Sequence, residues 1–339
     1  MLIAAAQLFA LSLWFSASAV ADSLKEVWSL TDAQVPWLTL TVQVGFVAGA
    51  LLSALLNLAD RIKARHLFAV SAVAGGLVNA GLVLVGPGDL AVVMSIRFLT
   101  GVALAGVYPS GMKAVAGWFR EGRGTALGIL IGALTVGSAL PHLVRGLGLD
   151  WQVVLLTASS LAVLSAGMML TAGDGPFDTA TSAFSWRHIR SIVANRGFRL
   201  ATVGYLGHMW ELYAAWTWVA FYVAASDFSG SASVVAFFMI AVGGVGAWLA
   251  GRLADRRGRT LAAGGSMVVS GTAAALTVAV FNAPAWVMIG LLLIWGLTVV
   301  SDSAQFSAIV TEVVDDDVRG TALTLQTAVG FLLTLATIS

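Results

Sequence analysis

Long apolar segments separated by short polar turns run along the whole chain. Eleven of these segments reach about 20 residues, the length that a helix needs to cross the hydrocarbon core of a bilayer. The pattern therefore predicts an all-α protein that spans a membrane. The approximate limits of the predicted spans are 1–20, 37–57, 67–86, 90–117, 124–144, 151–171, 198–225, 231–251, 261–281, 285–311 and 320–339.

One polar stretch between these segments is much longer than the others. It covers residues 172–197 and carries Gly173 and Pro176, followed by several arginines. Trp186, Ile189 and Ile192 recur in it at helical spacing, which predicts a short amphipathic helix on the membrane surface. We interpret this stretch as a linker between two halves of the chain.

The two halves share short motifs at a constant offset. Leu58-Ala59-Asp60-Arg61 returns 195 residues later as Leu253-Ala254-Asp255-Arg256, and the Arg-Gly-Thr-Ala-Leu run of 123–127 returns at 319–323. Duplicated helical bundles are a common architecture of secondary transporters, whose substrate site lies between the copies. The repeat predicts a bundle over 1–171, a cytoplasmic linker over 172–197 and a second bundle over 198–339.

The second copy has no counterpart to the sixth predicted span. Residue 339 corresponds to residue 144 of the first copy, which ends the fifth span. We therefore expect a plan of six plus six helices related by a pseudo-two-fold axis, of which this chain carries eleven as a fragment. The alternative is a natural protein with eleven spans.

Composition supports the membrane interpretation and excludes several other classes. The chain is 59% hydrophobic and 10% charged, whereas soluble domains are about one quarter charged. A net charge of +1 gives no sign of nucleic-acid binding, and the absence of cysteine excludes a thiolate metal site. No HExxH, GxSxG or Walker-type motif is present, so we expect neither an enzyme, nor a cofactor, nor direct use of ATP.

Basic residues predict the orientation of the spans. Most of the lysines and arginines in the turns fall on one side, and only Lys25 and Arg145 fall on the other. The positive-inside rule then places the amino terminus and the linker in the cytoplasm of a cell whose plasma membrane the chain crosses several times. We expect a monomer that interacts with lipid.

The loop before the ninth predicted span carries a specific resemblance. Residues 251–259 read Gly-Arg-Leu-Ala-Asp-Arg-Arg-Gly-Arg, and the first copy keeps the Leu-Ala-Asp-Arg core without the glycines. In the fourth span, Arg97 precedes Gly101 by four residues. The chain thus resembles the major facilitator superfamily over essentially its whole length. The resemblance implies alternating access by rocking of two bundles and a cytoplasmic gate. The expected gate residues are Asp60, Arg61, Gly251, Asp255, Arg256, Gly258 and Arg259.

Ionisable residues inside predicted spans are candidates for coupling and substrate contact, because each costs insertion energy. His208 and Glu211 share one face of the seventh span, and Glu211 lies about 20 Å along the helix from Phe198, near the midplane. Together they could accept and release a proton. A satisfied structural pair is the alternative. We expect Tyr205, Trp210, Tyr213 and Gln43 to line the cavity around them.

Arg97 and Asp302 complete the candidate set. Arg97 lies about 10 Å into the fourth span and would attract an anion if it faces the cavity, or extend to the outer surface if it does not. Asp302 lies in the tenth span, at a different depth, so a direct contact between the two is not expected.

These features favour a proton-coupled secondary transporter for a small organic solute, perhaps an anion. A proton-driven efflux antiporter for drugs or metabolites and a uniporter are open alternatives. A transporter-derived sensor without net transport is an open alternative from a different functional class.

Overall fold

The computed structural model describes residues 1–56, 58–119, 122–177, 188–315 and 318–338, without the side chains of Ala59, Asp60 and Arg123. Within these residues the chain forms fifteen α-helices and two short 3-10 turns. The helices are α1 Leu2–Leu11, α2 Ala21–Val27, α3 Trp37–Leu55, α4 Leu58–Arg61, α5 Ala64–Ala80, α6 Leu90–Trp118, α7 Arg123–Gly146, α8 Trp151–Ala172, α9 Ile189–Ala194, α10 Arg196–Ala225, α11 Ala232–Arg257, α12 Arg259–Leu276, α13 Ala285–Val299, α14 Ser303–Val313 and α15 Arg319–Ile338.

Eight helical segments of the described chain are long and apolar enough to cross a membrane. They are α3, α5 with its 3-10 extension, α6, α7, α8, α11, the joined α13–α14 segment and α15. Three of the eleven predicted spans fall outside this set. Helix α1 has only ten residues, whereas α10 and α12 are long enough but less apolar.

Two of the predicted spans are interrupted rather than continuous. The first ends as a helix at Leu11, passes through turns over residues 12–17 and resumes at Ser18. The tenth divides into α13 and α14 around residues 300–302. Backbone groups freed inside a membrane need other partners, so irregular stretches occur only where protein or a cavity satisfies them.

The predicted linker is partly helical. Ile189 and Ile192 both lie in α9, and Ile192 is buried. Trp186 lies outside the described residues. Asn195 then begins α10 by accepting a hydrogen bond from the backbone amide of Phe198. The same side chain donates a 2.8 Å hydrogen bond to the carbonyl of Val313, which ties the linker to the end of α14.

The two halves of the chain meet mainly through two helix pairs, α7 with α11 and α3 with α15. Glycines permit the first contact. A Cβ atom added to Gly132 would lie 2.9 Å from the carbonyl oxygen of Gly244, and one added to Gly128 would lie 3.2 Å from that of Ala247. Small residues at a spacing of four thus bring the two backbones together across the halves.

Candidate functional site

Helix α10 carries a buried ionisable pair with α14. The Nδ1 atom of His208 lies 2.6 Å from Oδ1 of Asp302, and both side chains are almost fully buried. The two atoms are at ion-pair distance without the angle of a hydrogen bond, and Nε2 of His208 has no hydrogen-bond partner in the described residues. Asp302 holds this position because the break between α13 and α14 places it just before the first turn of α14.

Glu211 lies one turn further along α10 and faces α12 and α13. Its carboxylate accepts a 2.7 Å hydrogen bond from the indole of Trp295 and a 3.1 Å hydrogen bond from the hydroxyl of Ser270. Asp302 and His208 are close enough to influence its charge. The structure therefore gathers His208, Glu211 and Asp302 into one group, which we call the ionisable triad.

Arg97 is buried in the first half, where it does not contact Asp302. Its guanidinium donates 2.9 and 2.7 Å hydrogen bonds to the carbonyls of Leu38 and Trp14. The remaining donors reach the carbonyl of Leu13 and the side chains of Ser16 and Asn79. Arg97 thus satisfies the interrupted first span, and an entering anion would have to displace these bonds. In this conformation Arg97 does not line a cavity.

An aromatic cluster fills the space between the two halves. Its members are Trp14, Phe15, Phe46, Tyr213, Trp216 and Phe331. The ring of Tyr213 lies 5.5 Å from that of Phe331 and 6.2 Å from that of Trp14. Because the rings come from the first-span region, α3, α10 and α15, the cluster closes the middle of the protein in this conformation.

The four predicted cavity residues fall into two groups. Tyr205, Tyr213 and Gln43 are buried at the contact between the halves, where Gln43 adjoins Tyr213. Trp210, in contrast, is 48% exposed on the outer face of α10. Its prediction as a cavity residue is wrong for this conformation, because the helix turns it away from His208 and Glu211.

Asp255 forms a contact between the halves at the end that carries the duplicated loops. Its Oδ2 atom accepts a 3.3 Å hydrogen bond from the hydroxyl of Thr125, in the first turn of α7. A Cβ atom on Gly124 would lie only 2.5 Å from Oδ1 of Asp255. The carboxylate therefore meets the positive end of the α7 dipole, where a negative charge is stabilising.

The other predicted gate residues lie around this contact. Gly251 packs on Gly124, and Gly258 adopts a φ of +92°, a left-handed conformation that glycine readily adopts at the end of α11. Arg259 pairs with Glu312 at 2.5 Å within the second half, whereas Arg61 and Arg256 are exposed. The side chain of Asp60 lies outside the described residues.

Several residues of the site are not evident from sequence. Asn79 bridges Arg97 and Ser159, and Trp295 and Ser270 bind Glu211. A lone asparagine in the third span is a visible signal, because an amide inside a membrane needs partners. Nothing in the spacing indicates that Trp295, rather than any of the other tryptophans, reaches Glu211.

The family model for the Major Facilitator Superfamily matches residues 2–337. The chain belongs to this superfamily. It is therefore a transporter of the multi-pass membrane type and not an enzyme. No curated protein matches the chain by sequence.

Solved transporter structures share the fold over nearly the whole chain. A mutant of the nucleoside transporter NupG superposes with a TM-score of 0.74 at 15% identity, covering 99% of this chain and 89% of its own. The xylose transporter XylE from E. coli, in a partially occluded inward-open conformation, gives 0.72 at 13% identity, with coverages of 99% and 88%. A bacterial homologue of the lysosomal transporter Spinster gives 0.71 at 16% identity, with coverages of 99% and 80%. Identities this low show the fold alone.

Proposed function

We propose that this superfamily member is a proton-coupled secondary transporter that moves a small organic solute by alternating access. The observation that carries the proposal is the ionisable triad, in which His208 and Asp302 lie 2.6 Å apart beside Glu211. Ionisable side chains inside a membrane are costly, and they recur in proton relays of pumps and transporters.

The chemistry of the triad suits proton transfer. An imidazole can accept and release a proton, and two carboxylates next to it provide further sites for the same proton. Protonation of Asp302 would remove its attraction to a charged His208 and leave the pair with a different preferred geometry. If the two conformations of the protein bind the proton with different affinities, binding of the proton shifts the equilibrium between them.

The position of the triad couples this change to the backbone. Asp302 lies at the break between α13 and α14, so a movement of its side chain acts on the relative direction of the two segments. Breaks of this kind are where transporter helices bind ions and change angle. We therefore propose that loss or gain of the His208–Asp302 contact is transmitted to the tenth span.

Asp255 is the proposed cytoplasmic gate residue. Its contact with Thr125 and Gly124 joins α11 to α7 across the halves and has to break when that end of the protein opens. The duplicated motif extends the proposal to Asp60 and to the basic residues that flank both aspartates.

The overall arrangement and location complete the proposal. The chain is proposed to form two bundles over 1–171 and 198–339, joined by a cytoplasmic linker, with its amino terminus in the cytoplasm. The proposed membrane is the plasma membrane, and the proposed unit is a monomer. A solved structure that shares the fold is described as a proton:xylose symporter, and symport rather than antiport is the mode proposed here.

Gradient-driven uptake into proteoliposomes tests this function. Purified protein would be screened with radiolabelled sugars, nucleosides, amino acids and carboxylates, with and without an inward proton gradient. We expect the gradient to accumulate at least one solute and an ionophore to abolish the accumulation. In Glu211→Gln, accumulation should fall to the level of simple equilibration, while exchange of labelled for unlabelled solute continues.

Glu26→Gln is the matched control, because Glu26 is an exposed glutamate in α2, away from the triad. It should behave like the wild type. Accumulation by Glu211→Gln at the wild-type level, with the same dependence on pH, would remove Glu211 from the coupling role. Equal accumulation of every solute with and without the gradient would exclude proton coupling altogether.

A further inference from the structure

A cavity of about 360 Å³ lies between α11 and α13. Residues of α11 form one wall and residues of α13 the other, and Phe228 from the preceding loop adds to the lining. Among the lining side chains only that of Ser231 carries a hydroxyl group, and the others are aliphatic, aromatic or methionine. Water in a cavity needs two to four polar partners, so we expect hydrocarbon rather than water to fill this one.

The cavity exists because the two helices separate beyond a close contact. Gly296 of α13 packs against the backbone carbonyl of Met239 in α11, and a Cβ atom on Gly243 would lie 2.8 Å from the carbonyl oxygen of Gly296. The cavity extends from Met239 to Ser231, towards the beginning of α11. The helices therefore touch through glycines near the middle of α11 and leave a gap over the two turns before them.

The first half contains a matching pair of helices, α3 and α6. Gly101 of α6 packs against the backbone carbonyl of Val42 in α3, just as Gly296 packs against that of Met239. The two glycines are 195 residues apart, and the two carbonyls belong to residues 197 apart. These contacts fix the register in which the two helix pairs can be compared.

Polar side chains join α3 to α6 at the level where the second half has its cavity. Arg97 donates a 2.9 Å hydrogen bond to the carbonyl of Leu38, and the hydroxyl of Thr41 lies 3.8 Å from the sulfur of Met94. In the order Arg97, Leu38, Thr41 and Met94, the counterparts in the second half are Leu292, Val235, Phe238 and Ile289. All four counterparts line the cavity. The gap thus lies where the first half has polar links and the second half has apolar side chains.

The cavity adjoins the lipid-facing side of α11. Phe238 is 55% exposed, and Val245 and Leu249 continue the same face as exposed apolar side chains. This face belongs to a segment long and apolar enough to span a membrane, so its surroundings are acyl chains. The eight residues from Ser231 to Met239 rise by about 12 Å, close to the hydrocarbon depth of one leaflet, about 15 Å.

We infer that this cavity binds one acyl chain of a phospholipid and that the bound chain holds the beginnings of α11 and α13 apart. We call it the acyl-chain site. The phospholipid belongs to the leaflet opposite to the duplicated loops, because α11 and α13 both begin at that end. The bilayer is the source of the chain, since it presents acyl chains to the exposed face of Phe238. The inference concerns neither the transported solute nor the coupling ion.

Retention of a photoreactive lipid by the purified full chain tests the site. The protein would be reconstituted with phosphatidylcholine that carries a diazirine on one acyl chain, then extracted into detergent and washed before illumination. Only retained lipid can then label the protein, and mass spectrometry of the digest locates the label. We expect Phe238 and Leu293 to be labelled at least fivefold more than Val245 and Leu249, which contact bulk lipid outside the cavity.

Filling the cavity should abolish retention. Ile289→Phe and Leu293→Phe each add bulk at a half-buried lining position, and either variant should lose at least four fifths of the retained label. Val245→Phe is the matched control, because it adds a larger ring to the lipid-facing side of α11 outside the cavity. Its label should equal that of the wild type.

Thermal unfolding in detergent gives a second measurement. A ligand that binds the native state raises its apparent stability, so added dioleoyl phosphatidylcholine should stabilise the wild type and Val245→Phe. It should not stabilise Ile289→Phe or Leu293→Phe, whose own unfolding transitions report whether they are folded. Dihexanoyl phosphatidylcholine, which has the same headgroup and short chains, should have little effect on any of them.

The inference is overturned if no label survives washing, if Val245 and Leu249 are labelled as strongly as Phe238, or if Ile289→Phe retains as much lipid as Val245→Phe. Stabilisation by hexadecane without any retained phospholipid would also overturn it, because the cavity would then take a free hydrocarbon. Failure of the proposed function looks different. In that case, the lipid would still be retained, but a proton gradient would drive no accumulation of solute.

Discussion

The guanidinium of Arg97 donates a 2.7 Å hydrogen bond to the backbone carbonyl of Trp14. This bond joins α6 to the interrupted part of the first span, and the ring of Trp14 continues from there into the aromatic cluster between the halves. Arg97 therefore positions the backbone that carries Trp14. Its role in this conformation is to satisfy carbonyls that the broken helix leaves free, a common use of arginine inside membranes.

Replacing Arg97 should destabilise the protein. Arg97→Met leaves the carbonyl of Trp14, in the interrupted first span, without this donor, and an orphaned buried group costs about 1–3 kcal/mol. Arg97→Lys keeps the charge but not the planar fork, so it should restore only part of the loss. Thermal unfolding of the purified protein, followed by tryptophan fluorescence, measures both effects.

Arg145→Lys provides the control for this series. Arg145 makes one 3.3 Å hydrogen bond from Nη1 to the carbonyl of Leu149 at an exposed position, so its replacement should change stability little. Unfolding of Arg97→Met at the wild-type temperature would contradict the structural role and return Arg97 to the list of solute-binding candidates.

Gly132→Ala should destabilise the protein, because its methyl group would crowd the contact between α7 and α11. The new Cβ atom would lie 2.9 Å from the carbonyl of Gly244, and overpacking of this kind costs about 1–3 kcal/mol. Alanine also gains about 1 kcal/mol over glycine in helix propensity, so the net effect of Gly132→Ala is a loss of up to about 2 kcal/mol. Unfolding temperature and the rate of solute exchange should both decrease.

Gly167→Ala in α8 separates crowding from propensity. A Cβ atom at Gly167 has no other atom within 4 Å, so this variant should be as stable as the wild type or slightly more stable. Equal stability of Gly132→Ala and Gly167→Ala would show that the close approach of the two halves contributes nothing.

Neutralising Asp255 should open the end of the protein that carries the duplicated loops. Asp255→Asn weakens the interaction with the α7 dipole, which is worth about 0.3–1 kcal/mol, and the open population should rise about two- to fivefold. Because the chain contains no cysteine, Ala247→Cys introduces a unique label at a buried position of α11. The rate of its reaction with a maleimide then reports opening.

Asp174→Asn tests whether any lost carboxylate has this effect. Asp174, at the start of the linker, pairs with Lys63 and Arg65 of the first half, so its loss leaves the contact between α7 and α11 intact. Labelling of Ala247→Cys should be unchanged in this background. A gate role for Asp255 is excluded if the two aspartate variants label at the same rate.

Much of the fold can be predicted from the sequence, because the length and apolar composition of a segment identify it as a membrane helix. The first and tenth spans are exceptions, since an apolar run does not reveal that turns interrupt it near Trp14 and Asp302. In the site, helical spacing placed His208 and Glu211 on one face of α10. Spacing within one helix could not predict the partner of His208, because Asp302 belongs to a different segment, between α13 and α14.

Trp210 and Arg97 illustrate the same limit. Sequence shows that each lies within a span, but only packing decides which way a side chain faces. Trp210 faces outward, and Arg97 donates hydrogen bonds to the carbonyl of Trp14, in the break of the first span, and to that of Leu38 in α3. Both outcomes depend on contacts between distant segments.

The most direct test of proton coupling through the triad is to measure proton movement in proteoliposomes loaded with a pH-sensitive dye. A solute gradient would be imposed with the solute that the proton gradient accumulates best, in the wild type and in Asp302→Asn. We predict that the solute gradient moves protons in the wild type and that Asp302→Asn loses this movement while still exchanging solute. Wild-type proton movement per solute in Asp302→Asn would contradict the account.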